Sequence, residues 1–369
     1  MKKKYRLISK FILYVYLSVI FLNNLLLVNV QARPITKIVG QASVSLQKAK
    51  EWAKNNGATD EFIGLANIYW DLAPKHGGID PAVAYAQSAY ETGYGRFGGV
   101  IDATYHNPCG MKTEQGGADN DKNAHQRFDS WEDGISAHLD HIALYVGAKG
   151  YPKPKDQTKD PRHFNYLYGK SGDSVEKLGE TWATTKVYGK KLASLVRQLQ
   201  GKYLPSKIHI NTNITELIKG NNQLIQGWAL NDSAVEKVNI YIDNNFIGQA
   251  NYGEDSPFVA QDYPEYSNSN KAGYTLRFDA SKLSLGNHEI KVEIIGDDGI
   301  KYKKSVPVKV VEGKLPKTHI NTNLKELKQE GNQVIQGWAI NKSGVEAVNV
   351  YIDNKFIGKA NYGEDSPFV

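Results

Sequence analysis

Apolar residues recur at helical spacing through the first half of the chain and alternate with polar ones through the second. Leu46 to Asn55 predicts a short helix, ended by Gly57. Phe62, Leu65, Ala66 and Tyr69 form the apolar stripe of a second helix over 59–73, with Thr59 as its N-cap and Pro74 as its stop. Asp80-Pro81 opens a third. Asp80 can accept from the orphan amides of the first turn, and Pro81 lacks an amide that would be unpaired anyway. Val83, Ala84, Ala86, Gln87 and Tyr90 follow at helical spacing, and Gly93 and Gly95 end the helix. The polar, glycine-rich run 113–121 predicts a hairpin or lobe tip. Ser130 then caps a helix carrying Ile135, His138, Leu139, Ile142 and Tyr145. Residues 148–173, with three prolines, read as a long loop of the kind that usually serves function, before helices over 174–182 and 188–201.

After Leu204-Pro205 the period changes to two. Alternating runs at 223–229, 237–242, 246–250, 274–278, 289–295 and 303–310 are separated by turns such as Asp243-Asn244 and Gly296-Asp297-Asp298-Gly299. This spacing predicts a β-sandwich of roughly 105 residues. The unit recurs at a constant offset: His209-Ile210-Asn211-Thr212-Asn213 returns from His319, Gln226-Gly227-Trp228-Ala229 from Gln336, and Asn251 to Val259 unchanged as Asn361 to Val369. Such regularity marks tandem copies. The second copy has no counterpart of 274–310, so its inner face is expected to lack cover and to be disordered or aggregation-prone. Trp228, between apolar runs, is expected to plug the core of the first copy, with the repeats serving as spacers or weak attachment modules.

Glu91 falls in the last turn of the third helix, where the negative end of the helix dipole opposes its ionisation. Apolar and aromatic neighbours push the same way. A carboxylic acid kept protonated near neutral pH is what a glycosidic oxygen needs as it leaves. The spacing alone favours a solvated glutamate near a helix end.

Further segments accompany it: Glu91-Thr92-Gly93-Tyr94-Gly95, Asn107-Pro108-Cys109-Gly110-Met111-Lys112, Phe128-Asp129-Ser130-Trp131-Glu132-Asp133, and Trp182-Ala183-Thr184 with Tyr188. In this order they resemble the peptidoglycan N-acetylglucosaminidases of glycoside hydrolase family 73, the mannosyl-glycoprotein endo-β-N-acetylglucosaminidase-like domain, over about residues 60–200. The glycine-tryptophan repeats resemble the Ig-like sandwiches attached to clostridial-type wall hydrolases. The resemblance implies a lysozyme-like, mostly α domain with a small β lobe, then all-β Ig-like sandwich repeats. It also implies an endo-acting glycoside hydrolase with Glu91 as general acid. A second carboxylate in the lobe could come from Glu114, Asp119 or Asp121, with Glu114 ranked first. A 2-acetamido substrate can instead use its own carbonyl as nucleophile. Tyr94, Lys112, Trp182 and Tyr188 are the substrate-binding candidates. The chain departs from the family where Trp182 replaces a tyrosine, Thr185 an aspartate and Cys109 a phenylalanine.

Other chemistry is weaker. Cys109 with His125 could form a peptidase pair, but Cys109 stands at an apparent strand start rather than a helix N-terminus, which favours a buried apolar role. His138 and His141 share a helix face with Asp140 nearby but lack an evident third metal ligand. Glu254, Asp255, Asp262 and Glu265 match no calcium loop. No metal and no cofactor is expected.

Met1-Lys2-Lys3-Lys4 followed by the apolar run from Phe11 to Val30 reads as a secretory signal cut after Ala32, with an uncleaved anchor as the competitor. One cysteine leaves no disulfide framework, so stability must come from the cores. A net charge of +6 with no basic cluster beyond the first ten residues suits an anionic wall and gives no reason to expect nucleic acid. The expected organisation is 1–32 signal peptide, 33–58 linker and short helix, 59–204 glucosaminidase domain, 205–313 first sandwich and 314–369 a truncated second. The expected protein is a secreted, wall-associated monomer acting on peptidoglycan glycan strands, with wall-polymer contacts through the repeats. A lytic transglycosylase and a non-catalytic adhesin are the alternatives.

Overall fold

Helix α1 (Leu46–Asn55) is capped by Ser45, whose hydroxyl accepts the Lys48 amide, and α2 (Asp60–Leu72) by Thr59. A computed structural model describes residues 35–369 apart from 184, 212–214, 221–222, 313–316, 321–325, 327–332, 342–343 and 364–369. The expected signal peptide therefore lies outside the described residues. Helix α3 (Pro81–Thr92) begins on the Asp80 carboxylate, which accepts the Ala82 amide at 2.9 Å, and ends on Gly93 in the left-handed region. Helices α4 (Trp131–Val146), α5 (Val175–Trp182) and α6 (Lys186–Gln200) complete the helical part. Helix α3 is buried along nearly its whole length and runs through the core; Tyr85 stacks on Phe62 with ring centres 4.8 Å apart.

Two glycines let α5 and α6 touch backbone to backbone. A Cβ on Gly179 would run into the backbone of Gly189, and one on Gly189 into the carbonyl of Glu176. No side chain fits between these helices, and the contact fixes where Tyr188 stands.

The stretch expected to be a linker is part of the helical fold. Ile38 is fully buried, the amides of Ile38 and Val39 donate to Asp173 at 2.7 and 2.8 Å, and Thr36 hydrogen-bonds to Glu176 through both its amide and its hydroxyl. Backbone donors satisfied by two distant carboxylates hold this segment where its own sequence shows no periodicity. The expected β lobe is reduced to one bridge, Lys112 with His125, flanked by the Thr113–Ala124 and Gln126–Met111 hydrogen bonds. Its tip is too rich in glycine and polar residues to extend a ladder.

The second half is all β. Strands β1 (Lys207–Ile210), β2 (Glu216–Ile218), β3 (Gln223–Leu230), β4 (Val235–Ile242), β5 (Asn245–Gln249) and β6 (Asn251–Glu254) precede the short helix α7 (Pro257–Asp262). Strands β7 (Gly273–Phe278), β8 (Gly286–Gly296) and β9 (Lys301–Val311) follow. They form a four-stranded sheet, β1-β3-β7-β6, and a five-stranded sheet, β2-β9-β8-β4-β5. The described residues fall into two compact units. One runs to Asn211 and takes in Gln226–Leu276 and Lys291–Ser305; the other comprises those of Thr212–Ile225, Arg277–Ile290 and Val306–Val369.

Within the first unit, α6 is bound to turns of the sandwich. The Ser194 hydroxyl donates to Asp298 at 2.7 Å and Arg197 Nε to Asp232 at 2.6 Å, with Ser194, Asp232 and Asp298 all deeply buried. Asp232 also accepts the Leu204 amide at 2.8 Å, and the Tyr266 hydroxyl donates to the Pro205 carbonyl at 2.6 Å. The Leu204-Pro205 boundary is thereby fastened by part-buried polar contacts.

Trp228 plugs the core only in part, packing against the cluster of Leu230, Val259, Tyr266 and Ala272. It is half-buried, stacked on His209 at 5.5 Å and tilted against Tyr263 at 5.4 Å. The opposite face of β3 meets the core: Ala229 is fully buried, and fully buried Tyr274 lies over Gly227 with its hydroxyl on the His209 carbonyl at 3.0 Å.

The second copy repeats local pairing. Strands β10 (Lys317–Ile320) and β11 (Gly337–Ile340) pair His319 with Trp338 as β1 and β3 pair His209 with Trp228. Strands β12 (Asn349–Ile352) and β13 (Lys355–Lys359) pair Tyr351 with Phe356 as β4 and β5 pair Tyr241 with Phe246. Among the described residues these form two two-stranded sheets, with Ile320, Tyr351, Phe356 and Ile357 exposed.

Candidate active site

Glu91 occupies the last turn of α3, one residue before the helix ends. The Tyr188 hydroxyl, from the first turn of α6, donates to Glu91 Oε1. The residue as a whole is exposed, so solvent reaches it, while surrounding protein crowds the carboxyl itself. That crowding raises its pKa above the ordinary carboxylate value; hydrogen bonds from Tyr188 and Trp182 pull the other way. The result is a group biased toward holding its proton yet open to a ligand.

Tyr188 is itself held from behind. Gln87, one helical turn before Glu91, donates its Nε2 to the Tyr188 oxygen at 2.9 Å. Gln87 Oε1 lies 3.3 Å from His138 Nε2, and His138 Nδ1 lies 2.8 Å from the Tyr69 hydroxyl. An amide oxygen only accepts, so His138 carries its hydrogen on Nε2 and accepts from Tyr69 on Nδ1. Burial, then the neighbouring His141, pushes the His138 pKa down to about 3, which keeps the ring neutral. Every hydrogen bond from Tyr69 through His138, Gln87 and Tyr188 therefore points toward Glu91. Sequence reasoning treated Gln87 as a helix-face residue and His138 as a weak metal candidate. The i, i+4 placement of Gln87 and Glu91 was the available signal.

A pocket of about 620 Å³ adjoins this network. Its lining includes Cys109, Lys112, His141, Arg162, Tyr166 and Trp182. The volume suits a small ligand. Trp182 joins the pocket to Glu91, and it packs against His141 and Tyr145 with ring centres 4.9 and 5.6 Å away. Cys109 is buried with Met111, Phe128 and Ala137. Burial, reinforced by the charge of Glu91, drives its thiol pKa well up, so a nucleophilic thiolate is disfavoured. His125 hydrogen-bonds to the Asp121 carbonyl at 2.9 Å instead of pairing with it.

Asn107 is a fully buried hub that sequence reading quoted without a role. Its Nδ2 donates to the Met111 and Gln126 carbonyls at 2.9 and 2.8 Å, and its Oδ1 accepts the Met111 amide at 2.9 Å. One side chain thus closes the turn that carries Cys109 and Lys112 to the pocket wall.

The second-carboxylate candidates are engaged locally. Glu114 pairs with Lys155 at 2.8 Å, Asp119 with Lys112 at 3.0 Å, and Asp121 caps a short 3-10 turn by accepting the Asn123 amide at 2.9 Å. Lys112 beside Asp119 holds that carboxyl below its ordinary value. Among the described residues, no hydrogen bond or ion pair joins any of the three to Glu91. Of the binding candidates, Trp182 and Lys112 line the pocket and Tyr188 reaches Glu91. Tyr94 packs against Trp52 at 5.3 Å and Phe62 at 6.5 Å, which makes it a part of the helical core.

The histidine and carboxylate residues of α4 serve separate networks. Asp140 takes His76, Lys153 and Thr158, each at 2.7 Å, and Tyr151 at 2.5 Å. Burial would raise its pKa, but these donors bring it down to about 2. Among the described residues no group of three or more metal-ligating side chains comes together. No helix among them is long and apolar enough to cross a membrane.

This geometry coincides with a family match. Residues 66–201 match the family described as mannosyl-glycoprotein endo-beta-N-acetylglucosaminidase, and 211–292 match the bacterial Ig domain. The chain carries a glucosaminidase domain followed by a bacterial Ig domain. Glu91, Gln87, His138 and Tyr188 all lie within the glucosaminidase match, which is that of a glycoside hydrolase acting on glycans. An uncharacterized protein of Borreliella burgdorferi is 30% identical over 122 residues, covering 33% of this chain and 55% of that protein. The chain thus spans about half the length of that relative. Among solved structures, the fibronectin(III)-like modules of Clostridium thermocellum CbhA share 16% identity at a TM-score of 0.20, over 42% of this chain and 73% of theirs. The endo-beta-1,4-mannanase of Thermotoga petrophila shares 16% at 0.22, over 33% and 24%. Both likenesses are too slight to bear on fold or activity.

Proposed function

We propose that the protein is an exported cell-wall hydrolase that cleaves the β-1,4 bond after N-acetylglucosamine in peptidoglycan. Glu91 is the general acid. Its raised pKa keeps a proton available for the leaving oxygen near neutral pH, and Tyr188 holds the carboxyl in place. The observation that carries the reading is the donor chain ending on Glu91, beside an aromatic-walled pocket, inside the matched glucosaminidase domain. The Lys2-Lys3-Lys4 start and apolar run support export, and the exposed aromatic pair Tyr351–Phe356 of the second repeat supports contact with wall polymers. The protein acts as a monomer without a cofactor.

The local engagement of Glu114, Asp119 and Asp121 favours a mechanism that asks less of a second carboxylate. Attack by the substrate's own acetamido carbonyl meets that condition, as does lytic transglycosylation. Mass spectrometry of muropeptides released from purified walls separates the products. Reducing N-acetylglucosamine ends support the hydrolase, and 1,6-anhydro-muramic ends replace it with the transglycosylase. Glu91→Gln should lower clearing in a wall zymogram by at least about 100-fold. A folded Glu91→Gln protein that clears walls like wild type removes the central role.

A further inference from the structure

The Asp160–His141 pair borders the pocket and takes no part in the chain that ends on Glu91. Asp160 comes from the long loop after α4, and its carboxylate is fully buried. Its Oδ2 accepts from His141 Nδ1 at 2.7 Å and His163 Nδ1 at 3.1 Å, and its Oδ1 accepts the Arg162 amide at 2.8 Å. His163 Nε2 accepts the Lys153 amide at 3.0 Å, which fixes the His163 hydrogen on Nδ1. Burial would raise the Asp160 pKa, but His141 and the other donors hold it below the ordinary value, so the carboxylate is ionised and can only accept. His141 therefore carries its hydrogen on Nδ1 and, when neutral, presents a lone pair on Nε2.

The His141 side chain is 9% exposed, His141 is among the lining residues, and among the described residues no group hydrogen-bonds to its Nε2. The rings of Trp182 and Tyr145, packed on one another at 5.6 Å, are centred 4.9 and 5.0 Å from the imidazole. An acceptor beside a pair of aromatic rings complements a ligand with one N–H donor next to a methyl group. An acetamido substituent has both.

We propose that His141 Nε2 accepts the 2-acetamido N–H of a sugar bound in this pocket, with Trp182 and Tyr145 against the acetyl methyl. Asp160 is the positioning residue that fixes the tautomer. The inference rests on the glycan-hydrolase reading and adds the group that selects N-acetylated sugar. A site built around a hydrogen-bond acceptor discriminates against an analogue that lacks the donor.

The test uses the full chain carrying Glu91→Gln, titrated with tetra-N-acetylchitotetraose and, separately, with cellotetraose, which has hydroxyls in place of the acetamido groups. The ring-nitrogen NMR resonances of His141 report binding without altering the residue. The expected result is a larger shift of Nε2 with the acetylated tetramer than with cellotetraose, whose 2-hydroxyl can donate but brings no methyl to Trp182 and Tyr145. Adding His141→Leu should weaken binding of the acetylated tetramer by about 10-fold, one hydrogen bond's worth, and His141→Gln, whose carbonyl restores an acceptor, should recover most of it. A silent His141, whether the tetramers bind elsewhere or fail to bind, overturns the inference. So does an equal shift with both. Wall clearing by the Glu91→Gln protein itself would instead defeat the hydrolase reading, so the two failures are distinct.

Discussion

Tyr188 donates its hydroxyl hydrogen to Glu91, which lies 97 residues earlier in the chain and on another helix. The bond stabilises the ionised carboxylate and opposes the upward push of burial. Tyr188→Phe removes that opposition, so the Glu91 pKa should rise further. A general acid works while protonated, and its activity falls as pH climbs through its pKa. The alkaline limb of the kcat/KM profile should therefore move to higher pH in Tyr188→Phe. An unmoved limb would detach Tyr188 from the acid.

Gly189 sets the distance between α5 and α6. An added methyl would meet the Glu176 carbonyl, backbone that cannot rotate away. Gly189→Ala should cost about 1–3 kcal/mol, read from urea unfolding, through forced separation of the two helices. Because Tyr188 is the adjacent residue, wall clearing should fall more than stability alone explains. A neutral substitution would show that the helices have slack.

Cys109 is buried, and its thiol pKa is pushed well up by burial and then by Glu91. Iodoacetamide at pH 8 should leave the folded protein unlabelled and modify it fully once it is denatured. Cys109→Ala should retain wall clearing. Rapid labelling of the native protein, with loss of activity, would revive a nucleophilic role.

Tyr274 and Trp228 divide the work of the sandwich unequally. Fully buried Tyr274 should cost about 3–5 kcal/mol when truncated to alanine, as large core aromatics do. Half-buried Trp228 should cost about 1–2 kcal/mol, since part of its surface already faces water. Thermal unfolding of the two variants in the full chain gives the ranking. A reversed order would return Trp228 to the core.

The sequence by itself determined the local structure. Asp80-Pro81, Ser45, Thr59 and Ser130 start their helices because each supplies a side-chain oxygen to amides two or three residues away. Strand register follows alternation strongly enough that His209–Trp228 and His319–Trp338 pair alike in both copies. Glu91 at its helix end was legible for the same reason. The chain's tertiary structure alone decided what surrounds that carboxyl. Tyr188, Gln87 and His138 converge on it only after α3, α4 and α6 pack, and the contact of Gly179 with Gly189 has no periodicity to announce it. The same holds for residues 35–39, held by Asp173 and Glu176, and for Trp228, whose two faces look alike in an alternating pattern. Local hydrogen bonds and side-chain period are written in neighbours along the chain; burial, desolvation and the partners of a buried polar atom depend on residues a hundred positions apart.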